Sequence, residues 1–354
     1  MSEPITTGSR SDERLFDAWL ELRRTAPQLR ARDAAAALGV SEVEIVAAGV
    51  SRGETVSLTS DPTRLLRAVA ELGPVTAHSG SGQAVLECNG TYGAPDIGEH
   101  TGIVIGDNID LRIFPSGWRF AYAVSDRTER GLQRSLQIFD AEGTAVHKIF
   151  LRPESDVTAF DRLVATLAAP SGGESLRLEQ EPLPADDTSA AVDVAAYRAA
   201  FAGMQDTHDF FMLLRRFGVA RENGLRLAGE NFALPLLRDA HRRLFAHAAE
   251  KRIPLMLFVA NEGIVQISSG PIPQPVLSAP WCNLLDPRFN LHVNEDGIAR
   301  AWAVRKPTVK GIVTSLELYD AGGTLCLQVF GERHEGVGER SDWAAAIARL
   351  EPLA

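Results

Sequence analysis

At 354 residues with 45% hydrophobic side chains, the chain is long enough to bury one large core or two medium ones. A formal net charge of -10 argues against a broad nucleic-acid or anionic-membrane surface, because phosphate binding needs clustered Lys and Arg. Three scattered cysteines, Cys88, Cys282 and Cys326, fit a reducing compartment; with a polar start, MSEPITTGSRSD, and no apolar run of bilayer length, the expected location is the cytoplasm.

Residues 1–12 read as a disordered leader, followed by helices over ERLFDAWLELRR and DAAAALG, the second stopped by Gly39 and a third starting at Ser41. The run ALGVSEVEIV resembles a helix-turn-helix, but its second helix carries Glu42 and Glu44 and no Lys or Arg before Arg52, so DNA binding is not expected. After a helix containing Leu65 to Leu72, the chain changes to short β-rich runs, QAVLECNG, TGIVIG, IDLRIF, WRFAYAVSD and SLQIFD, separated by Gly, Asn, Asp and Ser. DAEGTAVHKIFL adds a turn and another strand, and a helix from Ala159 to Leu167 closes the unit. The Pro-, Ser-, Gly- and acid-rich stretch over 169–190 predicts a linker.

Beyond that stretch the pattern repeats. A shift of 180 superposes IDLRIFPSGWRFAYAV on FNLHVNEDGIARAWAV and holds register through Thr128/Thr308, Gly131/Gly311, Asp140/Asp320, Gly143/Gly323 and Phe150/Phe330. A shift of 179 pairs Gly39 and Val40 with Gly218 and Val219. The fold class is therefore α+β, an internal duplication in which each repeat has an N-terminal helical segment and a mainly antiparallel sheet. The first repeat spans 13–168 and the second 191–354.

Positions that differ between repeats point to a site. The segment DTHDFFMLLRRFGVAR predicts an amphipathic helix capped by Asp206 and Thr207 and stopped at Gly218, with Phe210, Leu213, Leu214 and Phe217 on its apolar stripe. His208 points away from that stripe, beside Phe211, Met212 and Arg215. Leu29 holds its place in the first repeat. Lys306 faces Asp126, Gln328 faces Lys148, Arg333 faces Pro153, and Arg112 faces His292. On pattern alone Arg112 reads as an exposed strand residue, Lys306 as solvated at a hairpin turn, and Phe258 and Phe330 as core.

There is no HExxH, GxSxG, phosphate loop, or GxGxxG placed between a strand and a helix. A neutral nitrogen ligand, several cations and Phe114, Phe211, Phe258 and Phe330 instead suit a flat apolar ligand with a metal at its centre and acids at its edge, as in haem sites.

With DTHDFF, PLMLFVANEG, APW with NLLDPRFNLH, AWAVRKPT and GIVTSLELYD, the chain resembles the HemS/HmuS family of bacterial hemin-degrading and haem-trafficking proteins over nearly its whole length. The resemblance implies haem b as ligand or substrate and His208 as the axial iron ligand. It places Arg112 on the opposite side of the iron, Phe114, Phe258 and Phe330 along the pocket, and Lys306, Gln328, Arg333 and Arg221 around the haem and its polar edge. It implies a cytoplasmic role in iron acquisition, binding imported haem and either passing it on or helping release its iron. An oxygenase-type breakdown would need O2, an external reductant, and Arg112 as the catalytic group on the distal side. Partners implied are a haem permease complex, a downstream haem oxygenase or a reductase, with no nucleic acid, no membrane insertion, and a monomer or dimer. A haem-responsive DNA-binding regulator and a duplication with no ligand are the alternatives.

Overall fold

The computed structural model describes residues 8–26, 29, 31–128, 131–169, 176–179, 192–333, 338–350 and 352–353. In the first repeat, helices α1 (Gly8–Thr25), α2 (Ala31–Leu38) and α3 (Glu42–Ala48) precede β1 (Thr55–Leu58) and α4 (Pro62–Val69). Strands β2 (Val75–Gly80), β3 (Ala84–Gly90), β4 (Asp96–Ile97), β5 (Gly102–Gly106), β6 (Ile109–Ile113), β7 (Phe120–Thr128), β8 (Gly131–Phe139) and β9 (Ala145–Leu151) follow, closed by α5 (Val157–Leu167). The second repeat runs α6 (Val194–Ala202), α7 (Asp209–Phe217), α8 (Arg221–Ala228), β10 (Ala233–Leu236) and α9 (Ala240–Lys251). Its strands are β11 (Leu255–Ala260), β12 (Ile264–Gly270), β13 (Val276–Ser278), β14 (Trp281–Leu285), β15 (Phe289–Asn294), β16 (Arg300–Thr308), β17 (Gly311–Tyr319) and β18 (Leu325–Gly331), before α10 (Ser341–Ala348).

Duplication is visible in the topology. The hydrogen-bonded order β1-β7-β8-β9-β2-β3 is matched by β10-β16-β17-β18-β11-β12, and the meander β4-β5-β6 by β13-β14-β15. Residues shared between repeats make the same turns. Thr128 Oγ1 donates to the Gly131 carbonyl at 2.9 Å and Thr308 Oγ1 to that of Gly311 at 2.7 Å, with both glycines at φ near 110°. Asp140 and Asp320 each accept the amide of the threonine four residues on. The register shift in the β8/β9 pair, at Ile138/Phe139, recurs at Leu318/Tyr319 in β17/β18.

By contact density the chain forms two compact units. One contains the first repeat without residues 80–86, together with 261–265; the other contains the second repeat without 261–265, together with 80–86. Each unit thus takes one hairpin tip from the other repeat's sequence. Helix α1 starts at Gly8, inside the expected leader; residues 1–7 and most of the expected linker lie outside the described residues. Among the described residues no single helix is long and apolar enough to cross a membrane.

In the second unit, strand alternation separates two sheet faces. Leu255, Leu257 and Val259 of β11, with Leu316 and Leu318 of β17, are wholly buried on one face. Helix α10 covers part of that sheet, its Trp343 donating from Nε1 to the Thr314 carbonyl. The opposite face carries the residues that set this repeat apart. In the first unit, α3 turns Glu42, Val43, Ile45 and Ala48 inward and packs on β7.

Candidate functional site

Residues 205–209 form a tightly bonded turn ahead of α7. Asp209 Oδ2 accepts the amides of Gln205 and Asp206 at 2.8 and 2.9 Å, while Asp206 Oδ1 accepts the His208 amide at 2.8 Å. The sequence puts the caps at Asp206 and Thr207, but the structure starts the helix at Asp209. His208 is the capping residue without a side-chain cap, and the first helical amides, of Asp209, Phe210 and Phe211, donate to the carbonyls of Asp206, Thr207 and His208. Gly218 ends α7 at φ 62°, and Phe210, Leu213 and Leu214 are buried while Phe211 and Met212 are exposed, as the stripe predicts. The His208 side chain is 95% exposed, with Nδ1 on Asp206 Oδ1 at 2.5 Å. A carboxylate on Nδ1 leaves Nε2 to present its lone pair outward. Asp206 is held below the usual carboxylate range, first by the His208 amide and then by its ring.

Cross-strand pairing gathers the other residues onto one sheet face. Trp302, Val304 and Lys306 of β16 stand opposite Glu317, Ser315 and Val313 of β17. Gln328 and Phe330 of β18 stand opposite Glu317 and Ser315, and Phe258 and Met256 of β11 opposite Gln328 and Phe330. Directly paired residues point the same way, so these four strands build one surface. Phe258 and Phe330 meet edge to face at 5.1 Å, and the Arg333 guanidinium lies over the Phe330 ring at 5.5 Å. Asp206, His208, Met256, Val313, Arg333 and Glu339 help line a pocket of about 300 Å³.

At the centre of this face is Glu317, a residue the sequence comparison did not single out. It is wholly buried, and its carboxylate accepts from Arg221, from Lys306 Nζ at 3.0 Å and from Gln328 Nε2 at 2.7 Å. Tyr319 Oη and Ser315 Oγ donate to it as well, at 2.6 and 3.1 Å. Burial would raise the Glu317 carboxyl, but Arg221 and Lys306 hold it far below its usual range. The hairpin position predicts a solvated Lys306; the structure buries it inside β16. Burial lowers its ammonium to about 8, opposed by Glu317 and reinforced by Arg221. The Phe210 ring lies 4.8 Å from Lys306 Nζ and 5.3 Å from the Arg221 guanidinium.

The equivalent face of the first unit is wired differently. Gln137 stands where the second repeat has Glu317, and Asp126, in the place of Lys306, pairs with Arg23 at 2.8 Å. Lys148, in the place of Gln328, pairs with Glu42, which aligns with Arg221. His78 and Phe150 keep the ring contact that Phe258 and Phe330 make. The first unit also holds Arg112, half-buried on β6 and ion-paired with Asp110, and Phe114, whose amide donates to the Gly263 carbonyl. His292 is bonded to Asn283.

Among the described residues one group, His241, Cys282 and Glu295, has the ligand types and spacing for a metal ion. Arg242 already donates to both Glu295 oxygens. Burial would raise that carboxyl, but His241 and Arg242 bring it down to about 2, so the positive charge a cation would supply is in place.

Two copies of this helix-and-sheet unit, one bearing an exposed histidine beside an aromatic and cationic sheet face, are the arrangement of a known class. The family model described as the haemin-degrading HemS/ChuX domain matches residues 39–167 and 218–350. The hemin transport protein HemS of Yersinia enterocolitica is 34% identical over 338 residues, covering 95% of this chain and 97% of the relative. The crystal structure of holo-PhuS, a heme-binding protein of Pseudomonas aeruginosa, is similar with a TM-score of 0.92 at 43% identity, covering 97% of this chain and 99% of that one. That of ChuS, described as an E. coli heme oxygenase, gives 0.85 at 31% identity over 95% and 99%. The chain belongs to the HemS family.

Proposed function

We propose that the protein binds haem in the cytoplasm as part of haem utilisation, with His208 Nε2 as the axial ligand to iron, and passes the haem on. The observation that carries this reading is the Asp206–His208 pair. A ligating histidine commonly donates its other ring N–H to a carboxylate, which fixes the tautomer and makes the ligand nitrogen more basic. The residues fit the group in two further respects. Phe330 and Phe258 offer apolar ring surface beside the pocket, and Arg333 Nε is buried with no hydrogen-bond partner among the described residues, a donor suited to a propionate. The relatives' names, hemin transport, heme-binding and heme oxygenase, support the ligand more than the fate of the haem. Arg112 and Phe114 are proposed as contributors from the family resemblance. A permease complex, a downstream oxygenase and a reductase are the partners proposed.

Adding hemin to the wild type is expected to give a Soret band characteristic of histidine ligation, and His208→Ala to lose it. Absence of a saturable band in the wild type overturns the reading. Reductant in air with catalase present then separates the two fates. An intact Soret band supports a carrier; its decay with a defined tetrapyrrole product and released iron supports breakdown, with Arg112→Ala as the variant to compare.

A further inference from the structure

The second unit gathers another set of side chains that the first repeat lacks. Cys282, on β14, stands where the first repeat has Gly102, and Glu295, in the turn after β15, where it has Pro115. His241, in the first turn of α9, has no counterpart either, since α4 reads PTRLLRAV. The shared fold therefore requires none of the three. A ring nitrogen of His241, the Cys282 sulfur and a Glu295 oxygen nevertheless lie within 4.8 Å of one another. Around a tetrahedral ion with bonds of about 2.0–2.3 Å, ligand atoms stand roughly 3.3–3.8 Å apart, so small shifts suffice. His241 is 1% exposed; its Nε2 meets Glu295 Oε1 at 2.9 Å, while Nδ1 is buried with no hydrogen-bond partner among the described residues. With a carboxylate on one nitrogen, the lone pair of the ring is left unused.

Arg242 occupies the mouth of this cluster. Its guanidinium donates to both Glu295 oxygens, yet the side chain is 43% exposed and can turn out into water. The Cys282 thiol, pushed up by burial, keeps its proton. Asp239, the next acid along, pairs with Arg243. We propose that His241, Cys282 and Glu295 form a site for a thiophilic divalent cation, typified by Zn2+, for which Arg242 is a displaceable placeholder. On binding, Arg242 leaves Glu295 and the thiol gives its proton to water. One doubly charged ion thus replaces two single positive charges, and the charge of the cluster is unaltered. A thiolate, an imidazole and a carboxylate favour Zn2+ over Mg2+ and Ca2+, which take oxygen ligands. Three protein ligands leave the fourth position to water.

Cobalt(II) is the probe, because a thiolate ligand gives it a sulfur-to-metal charge-transfer band. The full-length protein, stripped with chelator and free of hemin, is expected to develop that band with one equivalent of Co2+, and to lose it to Zn2+ but not to Mg2+. No saturable band in the wild type overturns the proposal. Cys282→Ser is expected to abolish the band; a band that survives there belongs to Cys88 or Cys326 and also overturns it. Arg242→Met is expected to tighten Co2+ binding by about tenfold or more, because the ion no longer has to break the charged hydrogen bonds to Glu295. Equal or weaker binding in that variant removes Arg242 as the placeholder and overturns the proposal. Should Cys282→Ser not fold, zinc-edge X-ray absorption of the wild type decides: one sulfur beside nitrogen and oxygen neighbours is expected, and nitrogen and oxygen alone is the contrary result. His208→Ala keeps the cobalt spectrum, so this inference and the haem reading fail separately.

Discussion

Asp206 decides what His208 can offer. With its carboxylate on Nδ1, the ring is held in one tautomer and one orientation although almost its whole surface is in water. Asp206→Ala is expected to keep the fold, because the side chain is exposed and Asp209 still holds the turn, and to weaken hemin binding about 10- to 100-fold. Equal affinities in a Soret titration would show that the pair does not tune the ligand. The histidine itself was legible in the sequence, since it had no counterpart in the first repeat and stood off the apolar stripe. Asp206 was legible only as a cap. Glu317 was not legible at all: in SLELYD it reads as an ordinary polar strand position, and only the approach of Arg221, 96 residues earlier in the chain, makes it buried and central.

Turns were the most readable elements. The residues that survive in both repeats, Thr128/Thr308, Gly131/Gly311 and Asp140/Asp320, are those that close hairpins through local bonds and a positive φ, which is chemistry confined to a few neighbouring residues. What a turn packs against is long-range and was not readable. Gly143 and Gly323 occupy equivalent positions with φ of 86° and 82°, so alanine strains the backbone similarly at both, by about 1 kcal/mol. At Gly143 the added Cβ would also lie 2.7 Å from Ser41 Oγ, the side chain that caps α3, and 2.7 Å from Val43. At Gly323 its nearest neighbour would be a Glu222 oxygen at 3.4 Å. Gly143→Ala is therefore expected to cost about 1–3 kcal/mol more than Gly323→Ala in denaturant unfolding. Equal losses would mean that the Ser41 cap yields without cost. Ser41→Ala alone should remove about 1 kcal/mol, since its hydroxyl and Glu44 form a reciprocal capping box.

Across the whole molecule, the two units should answer acid differently, because burial shifts different groups in each. In the first, His147 is enclosed between Ser79 Oγ at 2.8 Å and Tyr92 Oη at 2.6 Å, and burial lowers its ring from the ordinary 6.5 to about 3. Between those values the unfolded chain binds the proton on His147 and the folded one does not, so this group withdraws stability as pH drops from about 6.5 towards 3, at up to about 1.4 kcal/mol per pH unit, while Asp140, whose carboxyl burial raises to about 6, works in the opposite sense below that pH. In the second, Glu295 stands at about 2 and Glu317 well below the usual 4.5. The stabilisation from these depressed carboxyls is fully present above 4.5 and is lost only as pH falls below it. Amide exchange followed by mass spectrometry should therefore show β2 and β9 losing protection relative to a His147→Gln variant as pH falls from 6.5 to 4.5, while β17 and β18 hold until below 4.5. That variant keeps hydrogen-bonding groups but cannot take the proton, and should leave the second response unaltered. If β9 protection in the wild type follows that of His147→Gln from pH 7 to 4.5, the buried histidine does not titrate against folding. The Leu327 found at the equivalent position in the second repeat would then be the better guide to what position 147 requires.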